Sequence, residues 1–104
     1  MTLIDLIHLF RRGQDFEEFC QLKSLDLTTE VVEIYMEKPF HIESQVSFFE
    51  IEKTGGRIEY TCNNKKYYNL FDFYFFTDFL QEFSDDSTNE DIAKRLIDYV
   101  INDA

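Results

Sequence analysis

The residues of this chain with the widest chemical repertoire are His8, Cys20, His41 and Cys62, its only histidines and cysteines. None sits within four residues of another, so the close ligand pairs typical of zinc sites are missing. Nucleophilic catalysis needs a Ser or Cys, a His and an orienting acid brought together. A chain of this size offers such combinations too freely for their presence to be diagnostic. Gly55-Gly56 has neither the following Lys nor the helix of a phosphate loop. The run "DDSTNED" is acidic but lacks the central Gly and twelfth-position Glu of an EF-hand. Cys20 and Cys62 read as small buried hydrophobes, not as a disulfide framework. No pattern names a reaction, a metal or a cofactor. The expectation is therefore a binding protein without cofactor; an enzyme built on His8 or His41 is the weaker alternative.

What remains is carboxylate. The chain carries 21 acidic residues against 10 basic ones, for a net charge of −11. Such a field disfavours direct binding of nucleic acid or of an anionic membrane, both of which need basic surface. It favours basic partners: a cation, a basic peptide or a basic protein. The distribution is more informative than the total. From Tyr67 to Ala93 there is no Lys or Arg, and that span holds Asp72, Asp78, Glu82, Asp85, Asp86, Glu90 and Asp91. A second cluster, Asp26, Glu30, Glu33 and Glu37, has spacings that would align it along one helix face.

These acids must be positioned by a core, and the composition supplies one. Hydrophobic residues make up 44% and aromatics 17%, with twelve Phe and no Trp. A length of 104 residues suits a single compact domain, 1–104. The N-terminal "MTLIDLIHLFRRG" has its arginines after the apolar run, the reverse of a secretory signal, so the cytoplasm is the expected location.

Thr2 followed by Leu3, Ile4, Leu6, Ile7, Leu9 and Phe10 predicts a capped helix over about 2–12, ended by Gly13. "DFEEFCQLKS" predicts a second short helix over about 15–23, capped by Asp15. "LTTEVVEIYMEK" is ambiguous. Its acids have helical spacing, whereas Val32, Ile34 and Met36 could share one face of a strand. The reading favours a helix over 29–38, stopped by Pro39. Residues 45–71 predict an antiparallel three-stranded β-meander, with turns at Thr54-Gly55-Gly56 and Asn63-Asn64. "NLFDFYFFTDFLQEF" then reads as a strand end running into an amphipathic helix over 73–83, capped by Asp72 or Asn69, with Phe76, Phe79, Leu80 and Phe83 inward. A last helix over 88–102 places Ile92, Leu96, Tyr99 and Val100 inward, with Glu90–Lys94 and Asp91–Arg95 as i,i+4 pairs. The fold class is α+β: N-terminal helices, a central antiparallel sheet and C-terminal helices.

Most of the aromatic stretch is core under this reading. A few rings, Tyr67, Tyr68 and Tyr74, are expected at the surface among carboxylates, where tyrosine is a favoured interface anchor. In size, acidity, α+β pattern and want of a catalytic motif, the chain resembles small bacterial immunity proteins of contact-dependent inhibition and other polymorphic toxin systems. The segments that carry the resemblance are "NLFDFYFFTDFLQEF" and "LTTEVVEIYMEK". The resemblance implies a basic protein partner, in particular a toxin nuclease domain whose phosphate-binding surface would be covered. Electrostatic logic nominates Glu30, Glu33, Glu37, Tyr67, Tyr68, Asp72, Tyr74, Asp78, Glu82, Asp85 and Asp86 as contacts. The competing reading is another acidic interaction module: a nucleic-acid mimic that binds several nucleases, or a regulatory adaptor.

Overall fold

A computed structural model describes residues 1–103. The element order is α1 Leu3–Arg11, α2 Phe16–Leu22, β1 Val32–Met36, β2 Val46–Glu50, α3 Ile51–Thr54, β3 Glu59–Cys62, β4 Lys65–Asp72, α4 Phe73–Leu80 and α5 Asn89–Asp103. The fold is α+β: N-terminal helices, a curled four-stranded antiparallel sheet and C-terminal helices.

Local chemistry sets the helix starts. At α1, Asp5 N–H donates to the Thr2 hydroxyl at 3.2 Å and Thr2 N–H donates to the Asp5 carboxylate at 3.0 Å, closing a capping box. These bonds, backbone first, hold the Asp5 carboxyl below its usual pKa. Asp15 accepts from Glu18 N–H to start α2, and Asp72 accepts from Phe75 N–H at 2.7 Å to start α4. Of the two caps considered for α4, Asp72 is the one used.

Two expectations about the sheet need correction. Residues 32–36 form a strand, not a helix. This strand, β1, is central: it pairs with β2 on one side and β4 on the other, giving the order β2-β1-β4-β3. Two ladders of backbone hydrogen bonds and burial of both faces outweigh the helical spacing of its acids. The second correction concerns strand order. β2 and β3 do not form a hairpin; they are opposite edges of the sheet. Between them the chain makes the one-turn helix α3 and then passes through Gly55 and Gly56, at φ 67° and 71°. Both glycines adopt the left-handed conformation expected of them, but they cap a helix and redirect the chain. The β3–β4 hairpin is as expected. Asn63 and Asn64 take φ 52° and 65° between the paired Cys62 and Lys65, the geometry of a type I′ turn.

The helix-facing side of the sheet carries Ile34 opposite Phe48 and Phe71. Phe73 sits at the centre of an aromatic cluster with Phe10, Phe16, Phe19, Phe48 and Phe76, at centroid distances of 4.8–5.9 Å. From α5, Ile92, Leu96 and Val100 are buried, and the half-buried Tyr99 stacks on Phe75 at 4.8 Å. Phe76 is buried on α4, while Phe79, Leu80 and Phe83 are half-buried against the same core. Glu90 pairs with Lys94 at 3.4 Å; Arg95 lies over the Phe83 ring at 5.5 Å instead of meeting Asp91.

The other side of the sheet has a smaller core of its own. Phe49 of β2 meets Tyr35 of β1, Tyr60 of β3 and Tyr67 of β4 at 5.3, 5.0 and 5.5 Å. Contact between residues on opposite edge strands requires the sheet to curl. Beside this cluster lies Glu33, which accepts from Thr54 Oγ1 at 3.3 Å and from Asn69 Nδ2 at 2.7 Å. Tyr35 is fully buried and donates to the Arg57 carbonyl at 2.7 Å; burial pushes its phenol pKa up.

Candidate functional site

The acids at 26–37 do not form a stripe. They divide between a loop, a strand interior and a strand end. Glu33 points into the curled face of the sheet and is 8% exposed, so it offers no surface to a partner. Glu37 is exposed just beyond β1. Asp26 and Glu30 are exposed in the loop between α2 and β1.

That loop is held by carboxylates. Glu50, at the end of β2, accepts from Asp26 N–H at 2.9 Å and pairs with Lys53 at 3.3 Å. Glu52 on α3 accepts from Glu30 N–H at 3.2 Å and from the Thr29 hydroxyl. Asp26 Oδ1 accepts from both the N–H and the hydroxyl of Thr28, at 2.9 and 2.7 Å. Hydrogen bonds from Thr28, backbone first, hold the Asp26 carboxyl below its usual pKa. The Thr29 hydroxyl and then Glu30 N–H do the same for Glu52. At Glu50, burial pushes the pKa up. The N–H groups of Asp26 and Glu50 itself, with Lys53, outweigh it, and the net displacement is downward.

Between this braced loop, α2 and α4 lies a groove of about 430 Å³. Its apolar lining comes from Phe16, Val31, Val32 and Phe73, with Cys20 alongside. Burial, with the nearby Glu50 and Glu17 carboxylates, raises the Cys20 thiol pKa. Leu27 and Tyr74, 50% and 64% exposed, line the same groove. So do Glu17, Asp26 and Glu30, and no Lys or Arg lines it.

Beyond Tyr74 the chain carries Asp78 on α4 and then Glu82, Asp85 and Asp86 in the connector. All four acids are exposed, and among the described residues none is in an ion pair or accepts a side-chain hydrogen bond. Arg11 fixes the connector to α1 by donating to the Ser84 and Ser87 carbonyls and to Asn89 Oδ1, at 3.0, 2.7 and 2.8 Å.

Of the nominated residues, Glu30 and Tyr74 line the groove, while Asp78, Glu82, Asp85 and Asp86 are exposed outside its lining, Asp85 on a separate hollow with Arg11 and Phe83. The remaining nominated residues are placed elsewhere. Asp72 is occupied as a helix cap. Tyr67 packs on Phe49, and Tyr68 packs on Phe40 at 6.1 Å with the Lys38 ammonium 4.4 Å from its ring centroid. Both tyrosines are half-buried, so of the three expected surface rings only Tyr74 is fully presented. Leu27, Glu17 and the bracing pair Glu50 and Glu52 escaped the sequence reading. Leu27, alone among polar neighbours, was the one available signal for the groove. His8 and His41 are exposed, and neither lines the groove: His8 lies 3.2 Å from Asn89 Nδ2, and His41 Nδ1 accepts from Glu43 N–H. Among the described residues, no cluster of His, Cys, Asp and Glu is arranged to hold a metal, and no helix is long and apolar enough to cross a membrane. Comparison with protein-family models, with curated proteins and with solved structures finds no match.

Proposed function

We propose that this protein is an immunity-type inhibitor. It binds a basic protein, of the class of a toxin nuclease domain, and covers the surface with which that partner holds phosphate. The reading places it in the cytoplasm of the cell it protects. The observation that carries it is the run of exposed, unpaired carboxylates Asp78, Glu82, Asp85 and Asp86, in a protein that also presents an apolar groove. Unpaired surface acids speed encounter with a basic partner, and an apolar centre supplies the packed contact that rim charges do not.

The experiment is capture from the host at 50 and 500 mM salt, followed by titration of the captured polypeptide's activity with purified protein. The expected result is one basic polypeptide inhibited at one-to-one stoichiometry. Replacing the four acids by Lys is expected to lower the association rate at least tenfold at low salt. A captured polypeptide whose activity is untouched overturns the inhibitor reading. Inhibition of several unrelated nucleases replaces it with a nucleic-acid mimic.

A further inference from the structure

We infer that the groove between α2, the 26–31 loop and α4 is an anchor pocket for one apolar side chain, carried on a partner segment in which Lys or Arg flanks it. The inference rests on the reading of a basic partner, and it specifies which part of that partner enters. Two features of the groove define the occupant. The floor is apolar, with Phe16, Val31 and Phe73, and its volume of about 430 Å³ is in the range of sites that enclose a bound group. The rim is wholly acidic among its charged members: Glu17, Asp26 and Glu30, with no Lys or Arg lining the groove.

An apolar residue alone would leave that rim unmatched, and a basic residue alone would leave the floor wet. A segment carrying both satisfies both. Asp26 uses Oδ1 for Thr28 and so keeps Oδ2 for an incoming ammonium or guanidinium. The loop backbone is already held by Glu50 and Glu52, so little ordering accompanies binding. A second copy of this chain is disfavoured as occupant, because each copy carries a net charge of −11.

The test uses the intact chain and short probes, so it does not depend on the natural partner. The ¹⁵N-labelled protein is titrated with the blocked tripeptide Lys-Phe-Lys, and separately with Lys-Ala-Lys and Glu-Phe-Glu. The expected result is saturable amide shifts centred on Leu27, Val31, Tyr74 and Thr77 with Lys-Phe-Lys, at least tenfold tighter than with either control. Leu27→Ser and Glu30→Gln, both at exposed positions, are each expected to weaken that binding several-fold while leaving the remaining spectrum in place. Equal shifts with Lys-Ala-Lys reduce the effect to diffuse charge and overturn the proposal. Absence of saturable shifts overturns it as well, and so do shifts that appear on raising protein concentration alone, which would assign the groove to a second copy. If the peptides fail while a captured toxin is still neutralised, the groove proposal falls and the inhibitor reading stands. If the peptides bind and no toxin is neutralised, the reverse holds.

Discussion

Two acid-rich regions of this molecule use the same chemical group in opposite ways. Around the 26–31 loop, the carboxylates of Asp26, Glu50 and Glu52 accept backbone N–H groups and hold the chain in place. From Asp78 to Asp86 the carboxylates accept nothing from the fold. A count of 21 acids cannot separate these populations. The difference lies in whether unsatisfied donors are nearby. The loop before β1 has N–H groups with no ladder or helix to satisfy them, and carboxylates take that place. The outward side of α4 presents backbone already bonded within its own helix, so Asp78 is left to solvent.

Among the acids that serve the fold, the largest effect is expected at Glu33, whose carboxylate takes two side-chain donors. Glu33→Ala removes the acceptor of Thr54 and Asn69 inside the curled face and is expected to cost about 2–3 kcal/mol, as one buried and one half-buried donor lose their charged partner. Urea unfolding of the variant measures this directly. A loss below about 1 kcal/mol would show that water reaches both donors. Glu50→Gln comes next. It keeps the shape but weakens the bond to Asp26 N–H and removes the pairing with Lys53, for an expected loss of about 1–2 kcal/mol.

The acids that brace the loop, Asp26, Glu50 and Glu52, fix a pH dependence. Their carboxyls sit below their usual values in the folded chain, so the folded state binds fewer protons than the unfolded one. The stability they contribute is complete above the ordinary carboxyl range and is lost as pH falls through their folded values. Urea midpoints measured from pH 7 down to pH 3 should drop in the acid limb, and Glu50→Gln should flatten that limb. The smallest effect belongs to the other region. Replacing Asp78, Glu82, Asp85 and Asp86 together by Asn and Gln is expected to change stability by no more than about 0.5 kcal/mol per site, with relief of repulsion making a gain as plausible as a loss. A large loss there would mean that these acids also serve the fold.

What could be read from the sequence follows from how local each determinant is. The capping residues Thr2, Asp15 and Asp72 and the turn residues Gly55, Gly56, Asn63 and Asn64 act within a few positions. Each does in the structure what its chemistry suggests. β1 was not legible for the complementary reason. Val32, Ile34 and Met36 alternate, but the face between them is buried too, so Glu33 marks no solvent side, and the acids around β1 fall at helical intervals. Only partners from β2 and β4 make that segment a strand. Likewise Tyr74 and Asp78 could be placed outward from α4 periodicity. The groove that Tyr74 lines could not be foreseen, because it joins α2 and the loop that follows it to the start of α4, far along the chain, and Glu50 and Glu52 hold that loop from behind.

The curl of the sheet has a consequence for self-association. In a flat four-stranded sheet the free backbone of β2 and β3 would be two open templates, a hazard in a chain with twelve Phe. Here Phe49 and Tyr60 draw the two edges toward each other, and the start of β2 is closed further by the bridge from Thr2 to Gln45 and the bond from Val46 N–H to the Met1 carbonyl. A strand from another molecule would meet bent edges, and at β2 one whose first N–H is already bonded. The curl thus takes both edges away from the flat geometry that fibre growth favours, in a protein whose other defence, mutual repulsion, weakens as salt rises.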